Sequence, residues 1–139
     1  MDSAHPRQAP EAAVNLGVLL AAQGDVDEAR AAYAIAMGSD QEDARWLAGR
    51  NLGILLAGQG QVGRAEAELR QVAGSAHPAQ AAEAAVNLGV LLAGRGDVEG
   101  AEAEFRRAVG LGDEETASLA GCNLDALLAH RCRFEVLVG

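Results

Sequence analysis

The segment Asn-Leu-Gly-Val-Leu-Leu-Ala occupies residues 15–21 and recurs unchanged at 87–93, with Asn-Leu-Gly-Ile-Leu-Leu-Ala at 51–57 between them. A decayed copy, Asn-Leu-Asp-Ala-Leu-Leu-Ala, follows at 123–129, and successive copies start 36 residues apart. A fixed period of this length is typical of a solenoid, in which one helix–turn–helix unit is stacked repeatedly. Such an array presents a repeating surface, which suits binding better than chemistry.

The length and the net charge of the chain exclude several classes of partner and location. The 139 residues amount to one domain, and the formal net charge is −9. This charge argues against nucleic acids and anionic membranes as partners. No apolar run approaches the roughly 20 residues that span a bilayer, and no charged-then-apolar leader opens the chain. We therefore expect a cytoplasmic protein. All eleven basic residues are Arg, which suggests a GC-rich, bacterial-like genome.

No motif indicates an enzyme, a metal or a cofactor. Cys122 and Cys132 lie on one predicted helix, with their Cα atoms about 15 Å apart, too far for a disulfide. Residues 58–63 match the GxGxxG pattern, but they follow a repeat helix and not the strand that a dinucleotide site requires. We therefore interpret these glycines as repeat turns and expect no catalytic residues.

The pattern within each period predicts an all-α chain, because no segment alternates with period two. The Asn-Leu-Gly helix ends at a glycine (Gly24, Gly60, Gly96), and a second helix stops at another (Gly38, Gly74, Gly110). Asp25 with Glu28 resembles a capping box at the start of a second helix. The predicted helices are 10–22, 26–37, 42–57, 62–73, 79–93, 98–109 and 114–131.

The two ends of the chain break the period. Ser3-Ala4-His5-Pro6 repeats as Ser75-Ala76-His77-Pro78, so the chain starts in an inter-repeat loop and we expect the flank of the first helix to be open. At the other end, a half-repeat at 118–132 is followed by a tail, 133–139, with apolar Phe134 and residues 136–138. We expect this tail to fold back over the last helix.

These residues resemble the tetratricopeptide repeat family. The resemblance rests on Asn-Leu-Gly, the Gly-Asp turn, Ala29, the aromatic Tyr33 four residues later, and Ala36, together with their copies. The period is two residues longer than the usual one, and the glycine that closes each second helix gives some SEL-like character. The resemblance implies a single solenoid domain over 1–139, a right-handed superhelix of antiparallel helix pairs. Repeats would cover 10–45, 46–81 and 82–117, with 118–132 as a C-terminal cap.

The resemblance also implies that the first helix of each unit lines a concave groove, and helical spacing then selects its wall. The opposite stripe, with Leu16, Gly17 and Leu20, is expected to pack inward. Four Asn in register would either bond the main chain of an extended peptide or bond a neighbouring helix and fix the stacking. Arg50 would either pair with an acidic ligand or with a carboxylate of its own chain. The candidate groove residues are Asn15, Asn51, Asn87, Asn123, Arg50, Val18, Leu47, Ile54 and Val90, and further apolar candidates are Val14 and Val86.

Two functions follow from these expectations. The leading one is a non-enzymatic interaction module, or scaffold, that binds a peptide or a partner helix in its groove. The alternative is structural, namely end-to-end self-association through the open N-terminal flank and the apolar tail. The first predicts a protein or peptide partner, and the second predicts a homo-oligomer.

Overall fold

A computed structural model describes the backbone of residues 8–138 and the side chains of residues 9–129. Within these residues the chain forms seven α-helices and no strand, which confirms the predicted all-α fold. The helices are α1 (Gln8–Ala22), α2 (Val26–Met37), α3 (Glu42–Gly58), α4 (Val62–Ala73), α5 (Pro78–Gly94), α6 (Val98–Leu111) and α7 (Glu114–Val138).

The helices group into two compact units, Met1–Val72 and Ala73–Gly139. In the first unit α1 packs against α2 and α3, and α2 packs against α3. In the second unit α5 packs against α6 and α7, and α6 packs against α7. Consecutive helices are therefore neighbours in each unit, as short connections require. The single domain over 1–139 stays a prediction.

The turn inside each helix pair depends on a glycine with positive φ. Gly24, Gly60 and Gly96 have φ values of 85°, 80° and 87°, a region that only glycine adopts without strain. The N–H of the next residue then bonds back to the preceding helix. It donates to the carbonyls of Leu20, Leu56 and Leu92 at 2.9 Å in each case. This is the Schellman arrangement, and it ends the first helix where the sequence predicted.

The last two helices run further than predicted. Gly110 lies inside α6, which continues to Leu111 and has Gly112 as its C-cap. The Asp113 carboxylate accepts a hydrogen bond from the Thr116 N–H at 2.8 Å, and this bond lowers the pKa of Asp113. The Asp113 carboxylate therefore caps the start of α7. At its far end, α7 continues to Val138 because Cys132 stands where the earlier units have their turn glycine.

The backbone of the tail therefore continues α7 to Val138 and does not fold back. This part of the prediction is wrong, since nothing between 130 and 138 is a glycine or a proline that would end a helix. The side chains of 130–139, and the tetrapeptide at 3–6, lie outside the described residues.

Close contact between the two helices of each pair forms the core. A Cβ added at Gly17 would lie 2.5 Å from Tyr33 Cε1, and one added at Gly89 would lie 2.5 Å from Phe105 Cε1. Tyr33 and Phe105 are both buried, at 2% exposure. Burial raises the pKa of the Tyr33 hydroxyl. Each ring therefore lies directly on the backbone of the first helix, and glycine is the residue that leaves room for it.

The inward stripe of α1 is only partly buried. Gly17 is buried as predicted, but Leu16 is 50% exposed, whereas its equivalent Leu88 is buried. The equivalent in α3, Leu52, packs against the core cluster of the first unit. No helix among residues 8–138 precedes α1, so no preceding helix within the described residues covers Leu16.

The predicted capping pair at α2 is absent, and an equivalent cap is found two repeats later, at the start of α6. Asp25 makes no side-chain hydrogen bond to the start of α2, whereas Asp97 Oδ1 accepts one from Gly100 N at 2.9 Å. A Cβ at Gly100 would lie 2.4 Å from Asp97 Oδ2. At α2 the equivalent of Gly100 is Glu28, whose own Cβ takes that space.

We predict that Gly89→Ala lowers the free energy of unfolding by about 1–3 kcal/mol, because the added methyl overpacks against Phe105. Gly94→Ala is the matched control, since a Cβ there meets nothing within 4 Å and the equivalent residue of α1 is Ala22. Urea unfolding followed by circular dichroism measures both. Equal stability of the two variants would contradict the close approach.

A second prediction concerns the caps. Asp97→Ala should destabilise the protein by about 1 kcal/mol, because the Gly100 N–H loses its acceptor. Asp25→Ala should cost clearly less, since no cap bond exists there. Melting temperatures of the two variants provide the comparison, and a larger loss for Asp25→Ala would show that the caps are assigned the wrong way round.

Candidate functional site: a groove on the first helices

A pocket of about 340 Å³ lies on the first unit, between α1 and α3. Predicted groove residues meet there, namely Val18 from α1 with Asn51 and Ile54 from α3. These three come together because the 36-residue period puts equivalent faces of α1 and α3 side by side, and the two helices are in contact. The pocket therefore combines exposed aliphatic side chains with one amide.

The apolar wall of this pocket is open to solvent. Val18 is 49% exposed and Ile54 is 45% exposed. The equivalent residue in the second unit, Val90, is 54% exposed. Three branched aliphatic residues at the same repeat position thus remain half-exposed in both units, although large apolar side chains are normally buried.

The four asparagines are all on accessible faces. Asn15 is exposed, while Asn51, Asn87 and Asn123 are half-buried. Only Asn51 lines the pocket of the first unit, and Asn15 does not. An amide both donates and accepts, so Asn51 can hydrogen-bond a peptide main chain whatever its side chains are.

Tyr33 also lines this pocket, although it belongs to a second helix. The sequence prediction missed it because it assigned the groove to first helices alone. The period did mark Tyr33 as the large residue of its helix, which Phe105 matches two repeats later, and in the structure it lies against Gly17 of α1. Gln59, at the C-terminal end of α3, completes the rim.

Some candidates do not reach the groove. Val14 and Val86 are buried, at 3% and 6% exposure, and Val14 belongs to the core cluster of the first unit. These two residues therefore cannot contact a ligand there. Leu47 packs against that same cluster. Arg50 is half-buried and already has an interaction partner, and it does not line the pocket.

In the second unit the start of α7 forms an open depression of about 840 Å³. Leu119, which is 54% exposed, and the exposed, free Cys122 line it together with Asp113, Glu114 and Glu115. The carboxylates suit the positive end of the α7 dipole, so their position at the helix start explains them.

The described residues hold no group of three or more His, Cys, Asp or Glu side chains that could bind a metal ion. The GxGxxG segment falls on the turn between α3 and α4, where Gly60 has positive φ, so it is a repeat turn. In the part of the chain that the structure describes, no helix is both long and apolar enough to cross a membrane.

Two solved structures have folds similar to that of this chain. BtubC (BKLC) from P. vanneervenii matches 97% of the chain with a TM-score of 0.73 and 22% identity, and the chain covers 61% of BtubC. PcrH, in complex with the chaperone binding region of PopD, matches 87% of the chain with a TM-score of 0.72 and 24% identity, and the chain covers 92% of PcrH. At these identities the likeness concerns the fold alone.

The repeats themselves match known sequence families. Two sequence models, both described as tetratricopeptide repeat, match residues 50–116 and 10–34. No curated protein matches the chain. The matched ranges contain three of the four Asn-Leu segments and the positive-φ turns that close them. The chain therefore belongs to the tetratricopeptide repeat family, with an all-α helical-repeat fold.

Proposed function

We propose that this chain is a protein-interaction module that binds an extended peptide or a partner helix on the exposed face of its first helices. The observation that carries the proposal is the pocket of the first unit, where Val18 and Ile54 stay half-exposed around Asn51. Exposed apolar surface around a polar group is typical of a surface that a partner covers.

An extended peptide fits this geometry well. Stacked helices repeat at roughly 8–10 Å, whereas an extended strand advances about 3.3 Å per residue. One asparagine in each repeat would then meet the peptide backbone at about every third residue, and the side chains between would contact the aliphatic residues. Main-chain hydrogen bonds would supply affinity, and the residues that differ between repeats would supply specificity.

The similar fold of PcrH supports this proposal by example. Its structure contains a region of another protein, PopD, so a chain of this fold and size can hold a protein segment. The described residues offer no group of His, Cys, Asp or Glu side chains that could hold a metal ion. Binding is therefore the function that its exposed residues support best.

The test uses peptides selected on the wild-type protein from a random-sequence library displayed on phage. Ile54→Asp should weaken their binding by about tenfold or more, because a charge in the apolar wall must be desolvated. Ile35→Asp is the matched control, since Ile35 is 67% exposed but lies on α2 outside the pocket. Calorimetric titration gives both affinities. Equal losses for the two variants would place the binding surface elsewhere.

The asparagines are tested separately. Asn51→Ala combined with Asn87→Ala should weaken peptide binding by about 0.5–1.5 kcal/mol per lost hydrogen bond, while thermal stability stays nearly unchanged. A large loss of stability would instead show that the amides fix the stacking of the helices. The melting temperature and the peptide affinity of the same preparation distinguish the two roles.

The alternative function, end-to-end self-association, is favoured by the exposed flank of α1. Leu16 and Leu19 are 50% and 55% exposed there, although equivalent leucines of later helices are more buried. A neighbouring molecule that covered this flank would make a head-to-tail contact, which does not need to close into a ring. Phe134 and the apolar residues 136–138 are the partner surface that the sequence offers.

If self-association occurs, the sedimentation coefficient should rise with protein concentration. Leu16→Glu with Leu19→Glu should abolish that rise, and so should deletion of residues 133–139, because each change removes one of the two apolar surfaces. A wild-type chain that stays monomeric at all concentrations would exclude this alternative and leave the groove proposal intact.

A further inference from the structure

A second pocket of the first unit, of about 280 Å³, shares no residue with the groove. The start of α3 forms one side of it, the C-terminal half of α4 forms the other, and Met37 lies at its edge. Three chemically distinct side chains line it, those of Arg45, Trp46 and Glu68. We call it the Trp46 pocket.

Two polar atoms of this pocket are buried without a hydrogen-bond partner. They are Glu68 Oε1 and Arg45 Nε. A buried carboxylate oxygen that no donor reaches is costly, and buried polar groups in folded proteins are nearly always paired. The Arg45 guanidinium lies over the Trp46 ring, 4.9 Å from its centroid, so it is engaged with the ring. Glu68 Oε1 is therefore a buried acceptor without a hydrogen-bond donor.

In the next repeat, the glutamate equivalent to Glu68 does have a donor, which is an arginine. Glu104, 36 residues after Glu68, lies 3.5 Å from Arg107 Nη1. Arg107 Nη2 also donates to the main-chain carbonyl of Ala73. The Arg107 guanidinium thus contacts both the Glu104 carboxylate, on its own helix α6, and the main-chain carbonyl of Ala73. We call this the Arg107 clamp.

One repeat earlier, no arginine stands at the position equivalent to Arg107. The equivalent of Arg107 is Gln71, and the equivalent of Ala73 is Met37. Both line the Trp46 pocket, as does Glu68, the equivalent of Glu104. The carboxylate is therefore kept in both periods, while the cation that satisfies it is present in only one.

The surrounding residues have also changed in a way that makes room. Gly49 stands where the next period has Ala85, and Trp46 stands where it has Ala82. A Cβ at Gly49 would lie 3.0 Å from Val72 Cγ2, so the glycine keeps this wall of the pocket clear. Trp46 adds a flat aromatic surface, which attracts a planar cation.

We propose that the Trp46 pocket binds the guanidinium of an arginine side chain from a partner protein. The guanidinium donates to Glu68 Oε1, as Arg107 does to Glu104 in its own chain, and it stacks against the Trp46 ring. The main-chain carbonyl of the same arginine accepts from Arg45 Nε. The net charge of −9 favours the approach of a basic segment and offsets the repulsion from Arg45.

Arginine suits this pocket better than lysine. Its guanidinium is planar, stacks on aromatic faces and is more weakly hydrated than an ammonium group. Stacking also lets two guanidinium groups share one ring system, whereas a compact ammonium would meet Arg45 as a point charge. The proposal concerns a different surface from the groove, so either can fail without the other.

Trp46 is the single tryptophan of the chain, so its fluorescence reports directly on the pocket. The probe is acetyl-arginine methylamide, titrated into the full chain. We expect a saturable change in emission, and binding about tenfold or more weaker for the uncharged isostere acetyl-citrulline methylamide, which loses the charged hydrogen bond. The lysine analogue should also bind more weakly.

Two variants locate the site. Glu68→Gln should abolish the change in emission, whereas the matched control Glu66→Gln should keep it, because Glu66 pairs with Arg70 on the outer face of α4. Gln71→Arg should also abolish it, since this change restores the Arg107 clamp and fills the pocket from within. Ile54→Asp, in the groove, should leave it unchanged.

The proposal is overturned if the arginine probe gives no saturable change, or if citrulline or lysine analogues bind equally well. Unchanged binding to folded Glu68→Gln would overturn it too. Circular dichroism verifies the folding of each variant, and Gln71→Arg supplies an independent test if Glu68→Gln does not fold.

Discussion

The close approach of each first helix to the second helix of its pair is the constraint on which the rest of the structure depends. Where α1 and α5 have Gly17 and Gly89, an aromatic ring lies directly on the helix backbone. In α3 the same role falls to Gly53, and its partner is Leu69. A chain with only four aromatic residues builds its core in this way, from small residues that let helices come close.

This constraint also determines which residues remain for function. Because the glycine face of each first helix is turned toward its own second helix, the residue that follows the glycine points away from the core. That residue is Val18, Ile54 or Val90, and all three are half-exposed. The asparagine two residues before the glycine occupies a neighbouring position on the same helix. The exposed face is therefore a consequence of how the core packs, and its composition is free to vary between repeats.

Much of the architecture could be predicted from the period alone. The positions of Gly24, Gly60 and Gly96 fixed the ends of three helices, because a residue with positive φ at a helix end has few alternatives. The period also brought Val18, Asn51 and Ile54 together, although it did not show that Tyr33 would form part of the same pocket.

The failures have physical reasons as well. Helical spacing selects a face but not how far burial extends around it, so Val14 and Val86 were placed in the groove although they are core residues. Leu16 was expected to pack inward because it belongs to the stripe of Gly17 and Leu20, but its burial depends on a neighbouring helix and not on the residue itself. The extension of α7 was missed because the absence of a stop signal is harder to recognise than its presence.

The Arg107 clamp has a consequence for how such a protein changes over generations. Arginine and glutamine codons can differ by one base, so the difference between Arg107 and Gln71 is within reach of a single mutation. Duplication produces two copies of an internal ion pair, so one copy can change while the other is kept. Loss of one guanidinium then leaves a carboxylate that is already positioned and desolvated. In a repeat protein, the loss of one partner of an internal ion pair can in this way leave a pocket, which changes such as Trp46 and Gly49 then shape.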